Sequence, residues 1–263
     1  MKLLPIAIFL FFSFSLTAQI DEEDWLEKGL TEIPFIQQFD LSKARDMVTE
    51  QNIKNLLMPP RKQVNQNASM YYALAGALEF YVNLEGNYKI NLSPEFIKFN
   101  LPLDKQNLKE AIKFLKETGT ISAGLLPYDS KRMNSAIYQA ERYRISNYLS
   151  LFKFDFQARH KVFAIKKALL RGNPVIATIR VNAEFQALNN ESRYWEIEEG
   201  DTTDKGLQTL LIVGFDENKE AFELMNFQGS EWGYRGCIWV DYEEFSEVAQ
   251  EGMVLIPVHL EAN

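Results

Sequence analysis

Cysteine and histidine are nearly missing from this chain: 263 residues contain one Cys and two His. A single Cys excludes an intramolecular disulfide framework, and three such side chains in all exclude ordinary zinc sites built from several Cys and His. Carboxylate-only metal sites survive that count. The acidic run DEEDWLE, Asp21 to Glu27, lacks EF-hand spacing and reads as a solvated face. No cofactor is expected. An excess of positive charge is also missing, since 36 acidic residues outnumber 28 basic ones for a formal net charge of −8. That balance argues against binding nucleic acid or anionic lipid through electrostatics. Internal repeats and low-complexity tracts are absent, and 46% hydrophobic against 24% charged residues describes a globular body of one large or two small domains.

Long apolar runs are missing except at the start. MKLLPIAIFLFFSFSLTAQ combines Lys2, an apolar stretch from Leu3 to about Leu16, and small residues before a cut after Ala18. The run is short and no second one follows, so residues 1–18 read as a signal peptide and not as a membrane span. No Cys follows the cut, which argues against a lipid anchor. The expectation is an exported protein, secreted or periplasmic, without membrane insertion after cleavage. The Gln after the cut has a bacterial character, so the glycosylation sequons at Asn67, Asn91 and Asn190 are discounted.

Residues 19–58 read as an N-terminal extension, irregular or helical. Residues 59–258 read as the domain proper, with a helical part over about 59–150 and a β part over about 151–258. After Pro59-Pro60, the apolar positions Met70, Ala73, Leu74, Ala77, Leu78, Tyr81 and Val82 recur at spacings of three and four, predicting a helix that starts near Ser69 with Ser69 as its N-cap. NLSPEFIKF predicts a second helix with Ser93 as cap and Pro94 in the first turn. DKQNLKEAIKFLKETG predicts a third, ending at Gly119, and KVFAIKKALLRGN a fourth, leading into the strand VIATIRV. The last third changes character: LQTLLIVGF, EAFELMNF, GCIWV and GMVLIPV are short runs bounded by Gly, Asn, Asp or charged turns and predict strands. Helices first and strands later make an α+β chain.

The order of these segments resembles the papain-like cysteine peptidases from about Gln63 to Val258. QVNQNASMYYALAGALE is similar to the family's Gln loop and central helix, and LSPEFIKF to its L-S-x-Q-x-L-V-D segment. FLKETGTISAGLLPY is similar to the stretch ending in Y-P-Y, and KKALLRGNPVIATIRV to the helix and strand around G-P-V. GLQTLLIVGFD resembles G-H-A-V-x-I-V-G-Y-D, and LMNFQGSEWGYRGCIWV resembles K-N-S-W-G-x-x-W-G-x-x-G-Y. The resemblance implies a two-lobed fold, a helical left lobe and a β-barrel-like right lobe.

It also implies four site positions. Gln63 falls at the oxyanion position, Ser69 at that of the nucleophilic Cys, Gln208 at that of the catalytic His, and Asn226 at that of the Asn orienting the imidazole. The Ser-Trp that follows this Asn in the family is Phe227-Gln228 here, and the glycine-rich segment that pairs with extended substrate is replaced by FNLPLDKQ. The family's chemistry needs a thiolate at a helix N-terminus beside an imidazole. A Ser hydroxyl needs a general base instead, and Gln208 has no basic nitrogen. The expectation is a pseudopeptidase, not an enzyme, that binds a peptide or protein in or near the former cleft. Two alternatives stand beside it. One is a working hydrolase with Ser69 as nucleophile; the other is a structural or assembly component whose cleft is filled by its own side chains or covered by the extension. His160, read as lying just before a helix, and His259 are ordinary surface or boundary residues in this reading, and Cys237 is a buried strand residue. Met70-Tyr71-Tyr72 and Tyr194-Trp195 read as core more than cleft.

Overall fold

The computed structural model describes residues 32–36, 48–63, 68–197 and 204–258. The signal peptide, the DEEDWLE run, Asn67 and His259 lie outside them.

Helix α1, Ser69–Gly86, runs through the middle of the molecule and is buried nearly all round. Its sequence is therefore apolar on every face, as a core helix must be. It packs on the antiparallel sheet and against α2, Pro94–Asn100, and α3, Leu108–Glu117. The predicted Ser93 cap is present, and Asn107 caps α3 in the same way. Ser93 Oγ accepts the Phe96 N–H at 3.2 Å with Pro94 in the first turn, and Asn107 Oδ1 accepts the Glu110 N–H at 3.1 Å. Helix α3 starts at Leu108 and not at Asp104, because Leu103–Lys105 closes a separate 3-10 turn before the Asn107 cap. Gly119 follows at φ +80°, in the left-handed region where a side chain would strike Tyr143 O.

The N-cap of α1 is Ala68, not Ser69. Ser69 is the first helical residue, and its hydroxyl is held by the backbone N–H of Thr209 instead of by its own helix.

The sheet has seven strands: β1 Glu50–Asn52, β2 Ile145–Lys153, β3 Val175–Arg180, β4 Leu207–Asp216, β5 Ala221–Met225, β6 Cys237–Asp241 and β7 Ala249–Pro257. Their order is β2-β7-β3-β4-β5-β6, every pairing between these strands is antiparallel, and β1 pairs with β4. Helices plus an antiparallel sheet agree with the α+β expectation. The strands read from LQTLLIVGF, EAFELMNF, GCIWV, GMVLIPV and VIATIRV are all present. β2 begins at residue 145, within the stretch read as helical, and bulges near Asn147 and Phe152 interrupt its alternation.

Helix α4, Ala158–Leu170, starts three residues before the predicted segment, which places His160 in its first turn and not ahead of it. It packs against the short α6, Tyr242–Val248, and the sheet; the five-residue α5 is Ala183–Ala187.

The extension joins this body. Within it, Glu50–Asn52 is extended and Lys54–Leu56 forms a 3-10 turn. Strand β1 pairs with residues 214–216 of β4, whose 207–212 stretch pairs with β3. Since β5 pairs with β4 across both stretches, β1 continues the edge that β3 leaves. Further upstream, Ile33 is buried, the Arg171 guanidinium donates to Ile33 O, and Asn173 Nδ2 donates to Pro34 O at 2.8 Å. These segments dock at the end of α4 and the far end of β4.

Candidate active site

The four positions singled out in the sequence converge through hydrogen bonds between elements distant in the chain. Gln208 lies near the start of β4, opposite Ile179 of β3. Its Nε2 donates to Asn226 Oδ1 at 2.7 Å, and the same oxygen accepts the Phe227 N–H at 2.9 Å. Asn226 follows directly on β5 and is pinned by its own N–H to Gly236 O at 3.0 Å. Ser69 Oγ accepts the N–H of Thr209, the neighbour of Gln208, at 3.2 Å. The Gln63 N–H donates to Phe227 O at 2.7 Å, and Lys62 and Gln228 form a β-bridge. So the start of α1, the start of β4, the turn after β5 and the short stretch Lys62-Gln63 ahead of α1 meet at one place.

Every member is buried: Ser69 is 5% exposed, Gln208 4%, Asn226 0% and Gln63 8%. Two polar atoms in the set, Gln63 Oε1 and Asn226 Nδ2, are buried without a hydrogen-bond partner among the described residues. Phe227, where the resemblance expects Ser, points into the core. Its ring would lie 2.9 Å from a Cβ added at Gly76 and sits 6.1 Å from Tyr72, so the glycine of GALE makes room for it. Trp232 of the WGxxG segment donates its indole N–H to Phe185 O at 2.8 Å and packs on Phe185, which also packs on Trp195.

The chemistry available follows from donor and acceptor types. A glutamine amide that donates to Asn226 repeats one hydrogen bond an imidazole would make, without a nitrogen able to take up a proton at neutral pH. Ser69 Oγ receives a backbone N–H. Among the described residues, no carboxylate, imidazole or amine is hydrogen-bonded to it. Cys237 offers no substitute: burial, with the Glu223 carboxylate nearby, pushes its thiol up to about 12. Tyr71, Tyr72 and Trp195 are buried in the core, whereas Tyr194 is exposed. Among the described residues, no group of three or more His, Cys, Asp or Glu is placed to hold a metal ion, and no helix is long and apolar enough to cross a membrane.

One feature escaped the sequence reading. Glu79, ten residues into α1 from Ser69, is buried; Arg61 Nη1 donates to its oxygens at 3.0 and 2.7 Å and to Asn91 Oδ1 at 2.8 Å, and the Leu92 N–H donates to Glu79 Oε2 at 2.8 Å. The network ties the segment before Gln63 to α1. Its sequence signal was the one carboxylate inside the apolar run MYYALAGALEFYV.

No protein-family model matches the sequence, and no curated protein is recognisably similar to it. Solved structures are similar in backbone. Xylellain, a cysteine protease from Xylella fastidiosa, aligns with a TM-score of 0.67 at 18% identity, over 86% of this chain and 92% of its own. ProCathepsin B from Trypanosoma congolense aligns with a TM-score of 0.67 at 14% identity, over 86% of this chain and 83% of its own. Digestive procathepsin L 3 of Tenebrio molitor aligns with a TM-score of 0.61 at 18% identity, over 90% of this chain and 79% of its own. Likeness at such low identity is likeness of backbone, and on that ground the chain has the papain-like cysteine-protease fold.

Proposed function

We propose that this chain is an exported pseudopeptidase: a papain-like scaffold that does not hydrolyse peptide bonds and acts by binding a peptide or protein in or near the former cleft. The observation that carries the reading is the Gln208–Asn226 hydrogen bond beside Ser69. It keeps the connectivity expected of a base and its orienting Asn, with a non-basic amide in the base's place. In serine proteases, loss of the base alone costs on the order of 10⁶ in turnover. The similar solved structures are cysteine proteases, and a cleft shaped for peptide is what this chain would share with them. Gln63 Oε1 and Asn226 Nδ2, buried without partners among the described residues, are groups that a bound peptide or a bridging water would satisfy. Export rests on the apolar leader alone.

The described segments of the extension favour binding over self-occlusion. Its described segments dock on residues 214–216 of β4 and on the end of α4, and Gly214 lies six residues from Gln208, about 20 Å along a strand. The test is incubation of the purified chain and Ser69→Ala with a broad peptide library, read by mass spectrometry. Neither should cleave. Cleavage by the parent chain that Ser69→Ala abolishes would overturn the proposal in favour of a serine hydrolase.

A further inference from the structure

A cavity of about 350 Å³ lies between the end of the extension and the turn joining β5 to β6. That is within the range of small-molecule sites, about 300–1,000 Å³. None of Ser69, Gln208, Asn226 or Gln63 lines it, so it stands apart from the site above.

Its lining is chemically one-sided. Lys54, Lys89 and Arg235 contribute three cations, no carboxylate lines the cavity, and Pro60, Met225 and Tyr234 supply an apolar and aromatic wall. Lys54 is ion-paired with Glu223, which leaves its charge partly compensated. Lys89 and Arg235 are exposed and have no carboxylate partner among the described residues. Arg193 adds to the same local field, its guanidinium 3.2 Å from the centre of the Tyr234 ring, with that of Arg235 at 5.4 Å. This concentration of positive charge occurs on a chain whose net charge is −8.

The backbone presenting Arg235 is held in an unfavourable conformation. Arg235 has φ +56°, in the left-handed region, between Tyr234 and Gly236 of a turn closed by Gly236 N–H to Trp232 O at 2.9 Å. A Cβ on Gly236 would meet Pro60 at 2.2 Å, so the turn is seated directly on the cavity's proline wall. Strain of this kind in a non-glycine residue persists only where the surroundings enforce it, and it gathers at ligand sites.

We propose that this cavity binds a small anion with an apolar body: a carboxylate or phosphate group held by Arg235 and Lys89, with the apolar part against Tyr234, Met225 and Pro60. Arg235 supplies a planar fork suited to either oxyanion, and Lys89 a mobile point charge. The positive field raises the local concentration of such a ligand in spite of the negative net charge.

The probes are phenyl phosphate and N-acetylphenylalanine, with N-acetylphenylalaninamide as the uncharged control, titrated into the full chain by calorimetry and NMR. At least one anion should bind saturably, about tenfold or more tightly than the amide. Lys89→Gln combined with Arg235→Asn should weaken it by about tenfold or more at an unchanged melting temperature, Asn being chosen because it tolerates the left-handed region. Arg235→Lys should restore part of the affinity. The tighter anion identifies the ligand class. No saturable binding of either anion, equal binding of the amide, or an undiminished affinity in the double variant would overturn the proposal.

Discussion

The Thr209 N–H to Ser69 Oγ bond joins α1 to β4 at the position proposed for the nucleophile. Ser69→Ala leaves that N–H buried without its acceptor, which costs about 1–3 kcal/mol; urea unfolding should record that loss, and under the proposed function neither chain should hydrolyse peptides. Installing a thiol and an imidazole at the two positions is the stricter probe of the geometry. In Ser69→Cys combined with Gln208→His, the imidazole would take over the bond to Asn226 and lower the thiol pKa. Iodoacetamide should then alkylate Cys at position 69 at pH 6 about tenfold or more faster than in Ser69→Cys alone, because only the pair forms a thiolate–imidazolium couple. Equal rates would mean that the two positions do not face each other. Glu79 is the residue whose loss should cost most. Removing it strands the Arg61 guanidinium in the protein, so Glu79→Ala should lose about 3–5 kcal/mol by chemical denaturation. At this scale Ser69, Gln208, Asn226 and Gln63 could be named as candidates because each sits beside a recognisable run, GALE, VGFD, MNF or the Gln loop. Glu79 could not, because a charge in an apolar helix names no partner, and Arg61 and Asn91 reach it only through tertiary packing.

Elements with strong periodicity or caps were readable; those made by pairing alone were not. Strand β1 is three polar residues, Glu50, Gln51 and Asn52, with no alternation to betray it. It exists because β4 offers backbone groups beyond the end of β3, and because Gly214 lets it approach. A Cβ there would lie 2.8 Å from Asn52 Nδ2 and 2.9 Å from Gln51 O. Gly214→Ala should therefore lift β1, raising amide exchange at residues 50–53 and lowering stability by about 1–3 kcal/mol. Unchanged exchange would show that the backbone accommodates the methyl group without displacing the strand. Helices α2 and α3 behaved as their Ser93 and Asn107 caps dictate, since capping is settled within four residues of chain. Ser69 failed as a cap because a strand about 140 residues away took its hydroxyl.

For the whole molecule, charge and burial combine into a pH dependence. Burial raises the carboxyls of Glu95 and Glu251 above their ordinary values, and Lys98 and Thr178 offset only part of that. A carboxyl raised on folding contributes stability that is present below its unfolded pKa and is lost as pH rises through the folded one. Asp216 behaves oppositely: its hydrogen bond with Lys219 holds it below the ordinary carboxylate value, so its contribution is present at higher pH and is lost as pH falls through the folded value. With the self-repulsion of a −8 chain added, urea midpoints should rise from pH 8 to about pH 5 and fall again below about pH 4. Asp216→Asn should flatten the acidic limb, and a limb that keeps its slope in that variant would assign acid unfolding to other carboxyls. The amino-acid sequence by itself determined the α+β class, the order of most strands and helices, and the choice of four candidate positions, because periodicity, caps and residue chemistry act over short stretches of chain. Only the tertiary structure decided that Gln208 bonds Asn226, that Ser69 serves β4, that the extension completes the sheet, and that three cations share one cavity, because each of these depends on which distant backbones and side chains packing brings together.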